Sequence, residues 1–169
     1  MMQVASPSSF RDFTLEQASE VVEQFRGQPG ALIVALHKLQ ETFGYIDEAA
    51  MPMLAKLFNL SRAEVHGVTS FYHDFRRHPP GRYTVKVCQA EACQAMGSEQ
   101  LTAAIKQQLG CDFHETTQDG MFTLEPVYCL GNCACAPSIM VDKQCYARVT
   151  ESSFKTLSAS LAAKAAGTK

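Results

Sequence analysis

Apolar positions recur at two different spacings along this chain, and the change falls near residue 80. Before it, steps of three and four predict helices. Thr14, with Gln17 three residues on, fits a capping box opening a helix from Leu15 to Arg26, with Leu15, Ala18, Val21, Val22 and Phe25 on one face. Gly27 and Pro29 end it. A second helix is predicted from Ala31 to Phe43 on Leu32, Ala35, Leu36 and Leu39, with Gly44 as its stop. A third runs from Asp47 to Phe58, where Pro52 fits only the first turn or a kink. Ser61 opens a fourth through Ser-Arg-Ala-Glu, reaching Phe71.

His78-Pro79-Pro80-Gly81 breaks this pattern and marks the expected boundary. Tyr83, Val85 and Val87 then alternate with Thr84 and Lys86, a strand leading straight to Cys88. A helix is predicted from Ser98 to Leu109, then a strand from Phe122 to Tyr128 and a hairpin of 138–141 with 145–149. Thr150 caps a last helix through Phe154, Leu157 and Leu161. The chain thus divides into a polar tail at 1–12, expected to fray together with the C-terminal AAGTK, a helical region at 13–78 and an α/β domain at 82–163.

A chain of 169 residues can bury roughly 70% of its unfolded surface, so no metal is needed merely to supply a core. Its formal net charge is −2, from 15 basic and 17 acidic residues, which predicts no nucleic-acid partner and no attraction to an anionic membrane. The start, MMQVASPSSF, has no positive segment leading into an apolar one, and no apolar run reaches the ~18 residues of a membrane span. A cytoplasmic location without membrane insertion is therefore expected. In a reducing compartment the seven cysteines would be free, catalytic or ligating.

Three of those cysteines, Cys129, Cys133 and Cys135, fall within YCLGNCACAPSIMV. Cys129 and Cys133 form C-x3-C, and Cys88 and Cys93 form C-x4-C in CQAEACQAMG. Each pair follows a predicted strand of one sheet, so the two loops can meet at one end of it. Four thiolates from two loops match a binuclear iron-sulfur cluster, whose irons share two sulfides and take two protein sulfurs each. Gly97 and Gly131 would let backbone N–H groups approach an anionic cluster, and Pro137 would set the exit of the loop.

Structural zinc also takes four cysteines, although the first pair has knuckle spacing only at its upper limit. A dithiol oxidoreductase is weaker, since no C-x-x-C occurs. Cys111 and Cys145 read as packing residues. Cys135 could hydrogen-bond or crowd a cluster, or stand in for Cys133. The histidines His37, His66, His73, His78 and His114 lack metal-ligand spacing. Without G-x-G-x-x-G or another phosphate loop, the chain is not expected to bind a nucleotide itself.

The string FGYIDEAAMPMLAKLFNLSRAEVHGVTSFYHDF, followed by VCQAEAC and YCLGNCACAPSIMVD, resembles the thioredoxin-like 2Fe-2S subunit of respiratory complex I and of related soluble NAD-linked dehydrogenases. The resemblance covers about residues 14–160. It implies an N-terminal helical bundle followed by a thioredoxin-like 2Fe-2S ferredoxin domain, with Cys88, Cys93, Cys129 and Cys133 as cluster ligands. Such subunits do not bind the organic substrate. They pass single electrons to or from a neighbouring flavin- and NAD-binding subunit, and so are not themselves catalytic.

Within that family, QAEACQAMG and the CAC before Ala-Pro are most similar to the gamma subunit of the soluble, molybdenum-containing NAD-dependent formate dehydrogenase. That likeness implies a second partner, a molybdenum- and iron-sulfur-containing catalytic subunit. The alternatives are the equivalent subunit of NADH-quinone oxidoreductase or of a bidirectional NAD-linked hydrogenase and, from another class, a zinc-stabilised assembly module.

Overall fold

The computed structural model describes residues 10–166. They fall into two compact units, 10–80 and 81–166. Among the described residues, no helix is long and apolar enough to cross a membrane.

The first unit is helical. Helix α1, Leu15–Glu23, begins where the Gln17 N–H donates to the Thr14 hydroxyl at 3.2 Å. It ends three residues before the expected Arg26, and residues 24–27 continue as turns closed by bonds such as Phe25 N–H to the Val22 carbonyl. Helix α2, Leu32–Phe43, stops at Gly44, whose N–H still donates to the Gln40 carbonyl and whose φ of +83° turns the chain out of the helix. The third expected helix is divided. Asp47 caps a 3-10 turn at Glu48–Ala50, and α3 is Met51–Phe58 with Pro52 in its first turn, where the missing N–H costs nothing. Helix α4, Arg62–Phe71, carries a full capping box between Ser61 and Glu64.

These helices bury Val22, Leu36, Leu39, Ile46, Leu54 and Val65 completely in one core. Part of the expected frayed tail belongs to the unit. The Arg11 N–H donates to the Thr42 carbonyl at 3.1 Å, and the Phe10 ring lies 2.7 Å from where a Cβ on Gly44 would stand. The rest of that expectation, residues 1–9, lies outside the described residues.

The second unit is a mixed sheet with helices. Its elements are β1 (Tyr83–Cys88), α5 (Glu91–Ala95), α6 (Ser98–Leu109), β2 (Glu115–Thr116), β3 (Phe122–Val127), β4 (Ile139–Val141), β5 (Gln144–Tyr146) and α7 (Glu151–Ala166). Strand order is β2-β3-β1-β4-β5. β1 and β3 run parallel, with Cys88 opposite Val127, and the other neighbours are antiparallel. Helix α6 belongs to the connection between the parallel pair, the usual way to join such strands. Pro126 is tolerated in β3 because β2 pairs only with Thr123 and Leu124, leaving that edge open at the proline.

Two elements have no counterpart in the apolar pattern. Helix α5 is one short turn without an apolar stripe, and β2 is a two-residue exposed edge. Neither is long enough to carry a period. At the other end, α7 reaches Ala166, and the Ala165 carbonyl accepts from Arg82 Nη1 at 3.0 Å, so the first residues of AAGTK are helical rather than frayed. Residues 167–169 lie outside the described residues. The core of this unit is Val85, Val87, Ile105, Leu124, Ile139 and Phe154.

Candidate metal centre

The parallel pairing of β1 with β3 decides where the cysteines meet. Cys88 is the last residue of β1, and Cys129 follows β3 by two residues, so both loops leave the same end of the sheet. The Gln89 N–H donates to the Val127 carbonyl at 2.7 Å, carrying the pairing past the strand ends. Cys93 lies on α5, whose first turn is closed by its N–H on the Ala90 carbonyl at 2.9 Å. Cys133 opens a 3-10 turn that ends at Cys135.

The two pairs have different surroundings. Cys88 and Cys93 are each 2% exposed and pack with Ala136, Val127 and Leu130, whereas Cys129 and Cys133 are exposed. Cys129 and Cys133 face each other at 3.8 Å between sulfurs. The Gly131 N–H points at Cys129 Sγ from 3.3 Å, using a φ of +73° that suits glycine. Cys129 itself has a φ of +124°, a strained value for a residue with a Cβ.

Burial pushes the Cys93 thiol up; a hydrogen bond from the Ser138 backbone opposes this, and the Cys88 and Cys133 thiols add to the rise. The Cys133 thiol is raised first by its hydrogen bond with Cys129, with Cys88 contributing from the other loop. Ionising these neighbouring thiols together would set like charges against one another across the two loops. A cationic iron core among them would relieve that repulsion, so the donor set fits the group. Among the described residues, no three His, Cys, Asp or Glu side chains gather tightly enough for one metal ion; the four sulfurs stand as two pairs, Cys129 facing Cys133 and Cys93 hydrogen-bonded with Cys88.

A family profile, that of the thioredoxin-like [2Fe-2S] ferredoxins, matches residues 18–162. This chain belongs to that family. The cofactor of this ferredoxin is accordingly a 2Fe-2S cluster. The chain is 35% identical over 138 residues to the NADP-reducing hydrogenase subunit HndA of Solidesulfovibrio fructosivorans, covering 82% of this chain and 81% of that protein. It is 39% identical over 112 residues to a NADH-quinone oxidoreductase subunit of Pseudomonas aeruginosa, covering 66% and 68% of the two chains. The corresponding protein of Escherichia coli is 30% identical over 142 residues, covering 84% and 86%. The fold resembles part of an NAD+-reducing [NiFe]-hydrogenase in the H2-reduced state, with a TM-score of 0.67 at 22% identity. That match covers 79% of this chain and 22% of the hydrogenase chain.

The remaining cysteines part company. Cys111 is buried in the core of the sheet unit, where burial pushes its thiol up, as a packing residue requires. Cys145 is not a packing residue, contrary to what its alternation with Tyr146 predicts. It lies on the edge strand β5, is exposed, and has Asn132 Nδ2 at 3.9 Å from its sulfur. Cys135 is half-buried, and its carbonyl accepts from the Arg148 N–H at 2.9 Å and the Ser138 hydroxyl at 3.2 Å.

Sequence reasoning misses two residues of this centre, Asn132 and Ser138. Ser138 is 1% exposed, and its carbonyl accepts the Cys88 N–H at 3.2 Å. A lone serine before the apolar Ile-Met-Val is the available signal.

Proposed function

We propose that this ferredoxin is a one-electron carrier in an NAD(P)-linked oxidoreductase complex, with Cys88, Cys93, Cys129 and Cys133 holding its 2Fe-2S cluster. The carrying observation is the convergence of two cysteine pairs at the shared end of two parallel strands, one pair buried and the other exposed. A bound cluster supplies single-electron transfer, at roughly −400 mV for plant-type clusters with four cysteine ligands.

The chain's own residues divide the remaining work. Cys88 and Cys93 hold the inner side in an apolar setting, which shields it from water. Cys129 and Cys133 present the outer side to the surface, where a partner can approach. The N–H groups of Gly131 and Ser138 donate to ligand sulfurs and stabilise the thiolate form. An open hollow of about 670 Å³ beside Cys133, lined in part by Met96, Pro137 and Arg148, offers room for a partner segment. In this division the chain supplies no acid, base or nucleophile to an organic substrate.

The partner in this reading is a flavin- and NAD-binding subunit that exchanges single electrons with the cluster. The relatives' names favour a complex of the hydrogenase or NADH-quinone oxidoreductase type over the formate dehydrogenase gamma reading, since none of the three is named for formate dehydrogenase. A molybdenum-containing partner therefore rests on the short CQAEACQAMG and CAC strings alone. Co-purification separates the complexes. A molybdopterin-binding subunit would restore the formate reading; a hydrogenase subunit or quinone-reducing membrane subunits would reject it.

The cluster is tested by EPR of the purified chain after dithionite reduction, with iron and zinc quantified on the same sample. The expected result is an S = 1/2 signal with about two irons per chain. Zinc in place of iron after anaerobic preparation, without a signal, would make this a zinc-stabilised assembly module. Catalysed disulfide reduction by an iron-free chain would instead indicate a dithiol oxidoreductase.

A further inference from the structure

Ser138 joins the two ligand loops, its hydroxyl bonding to one and its backbone carbonyl to the other. Its Oγ donates to the Cys135 carbonyl at 3.2 Å and accepts from Asn132 Nδ2 at 3.1 Å, so both contacts fall on the loop carrying Cys129 and Cys133. Its backbone carbonyl accepts from Cys88, the first ligand of the other loop, at 3.2 Å. Ser138 also begins the approach to β4, which is paired with β1 from Val87↔Ile139 onward. It is therefore anchored to the buried half of the centre and grips the exposed half.

We propose that Ser138 and Asn132 form a positioning pair that holds the exposed cysteine loop against the buried one and governs how tightly the cluster is kept. The inference rests on the four-cysteine reading above. Besides the Arg148 N–H on the Cys135 carbonyl at 2.9 Å, the exposed loop contains features that weaken it: a glycine at φ +73°, a strained Cys129, and ligands open to water. The Ser138 hydroxyl belongs to a residue only 1% exposed, so its end of both hydrogen bonds is shielded from water, while the partners Asn132 and Cys135 are half-buried. Asn132 Nδ2 also lies 3.9 Å from Cys145 Sγ, so the same amide ties the loop toward β5.

The test compares wild type, Ser138→Ala, Asn132→Ala and the double variant as full chains loaded with cluster under anaerobic conditions. Two signals are read: the rate of iron release to a chelator and the EPR spectrum of the reduced protein. Outer partners of metal ligands commonly contribute ten-fold or more to metal retention, so each single variant is expected to release iron roughly ten-fold faster. Each should also broaden the EPR lines as the ligand geometry spreads. The double variant should fall short of the product of the two single effects, because the bond between the two side chains is lost in either case while the bonds to Cys135 and toward Cys145 are lost separately.

Ser158→Ala is the control, since Ser158 is a buried serine of the same unit bonded to Gln108 Nε2 at 2.7 Å and apart from the ligand loops. It should lower stability without changing either signal. If Ser138→Ala does not take up cluster, Asn132→Ala decides alone. Wild-type release and lineshape in Asn132→Ala, or additive effects in the double variant, would overturn the pairing. A wild-type chain that holds no iron would instead overturn the four-cysteine reading itself.

Discussion

Cys88 closes β1 directly opposite Val127, the last residue of β3. That one register pair brings the loop that begins at Cys88 and the loop that carries Cys129 and Cys133 to a common end of the sheet. Had β1 and β3 been antiparallel, those loops would leave opposite ends of the sheet and the two cysteine pairs could not share a cluster.

The ligand assignment separates cysteines by position rather than by number. Cys88→Ser and Cys129→Ser are expected to lose the visible absorption of the cluster, while Cys111→Ser and Cys145→Ser should keep it. Cys111 sits in the core of the sheet unit, so its serine variant should lose stability by about 1–3 kcal/mol through a buried hydroxyl. Absorption spectra and iron content decide the first point and urea unfolding the second. A normal spectrum in Cys88→Ser would remove it from the ligand set.

Gly131 supplies both a turn and an N–H to Cys129 Sγ at 3.3 Å. Gly131→Ala keeps the N–H but forces a Cβ into the left-handed region, a cost of about 1–2 kcal/mol. No atom stands within 4 Å of that Cβ, so the effect should come from backbone strain alone. The expected outcome is faster loss of visible absorption in air than wild type, with an unchanged far-ultraviolet circular dichroism spectrum. Equal rates would show that the turn tolerates alanine.

Phe154 is the large apolar anchor of α7, 2% exposed in a core shared with Val85, Leu124 and Ile139. Phe154→Ala should destabilise the sheet unit by about 3–5 kcal/mol, read from urea unfolding. A loss below about 1 kcal/mol would mean that α7 is held mainly by other contacts, such as Arg82 on the Ala165 carbonyl.

At the start of α4 the Glu64 carboxylate is held below the usual range, first by the Ser61 backbone N–H and then by the Ser61 hydroxyl. Its folded pKa is therefore lower than its unfolded one. The stability it contributes is fully present above the unfolded value and disappears as pH falls through the folded one. Wild type should unfold at higher urea than Glu64→Gln at neutral pH, and the two should converge in acid. A gap that persists unchanged in acid would point to a cause other than this charge.

The sequence alone determined the helical half, the strand before each cysteine pair and the family. The first two are local properties: three- and four-residue apolar spacing in α2, alternation in Tyr83–Val87, and caps at Thr14 and Ser61. The family was legible for the same reason, since CLGNC and VCQAEAC are contiguous strings.

What only the tertiary structure decided was pairing, depth and partnership. Strand order and the parallel β1–β3 register arise from long-range hydrogen bonds that no local pattern encodes. The same holds for the contrast between buried Cys88 and Cys93 and exposed Cys129 and Cys133, because burial depends on what packs above each loop. Cys145 escaped prediction since alternation marks a strand but does not say that β5 is an edge. Ser138 became part of the centre only when Cys88, Asn132 and Cys135 were brought around it by the fold.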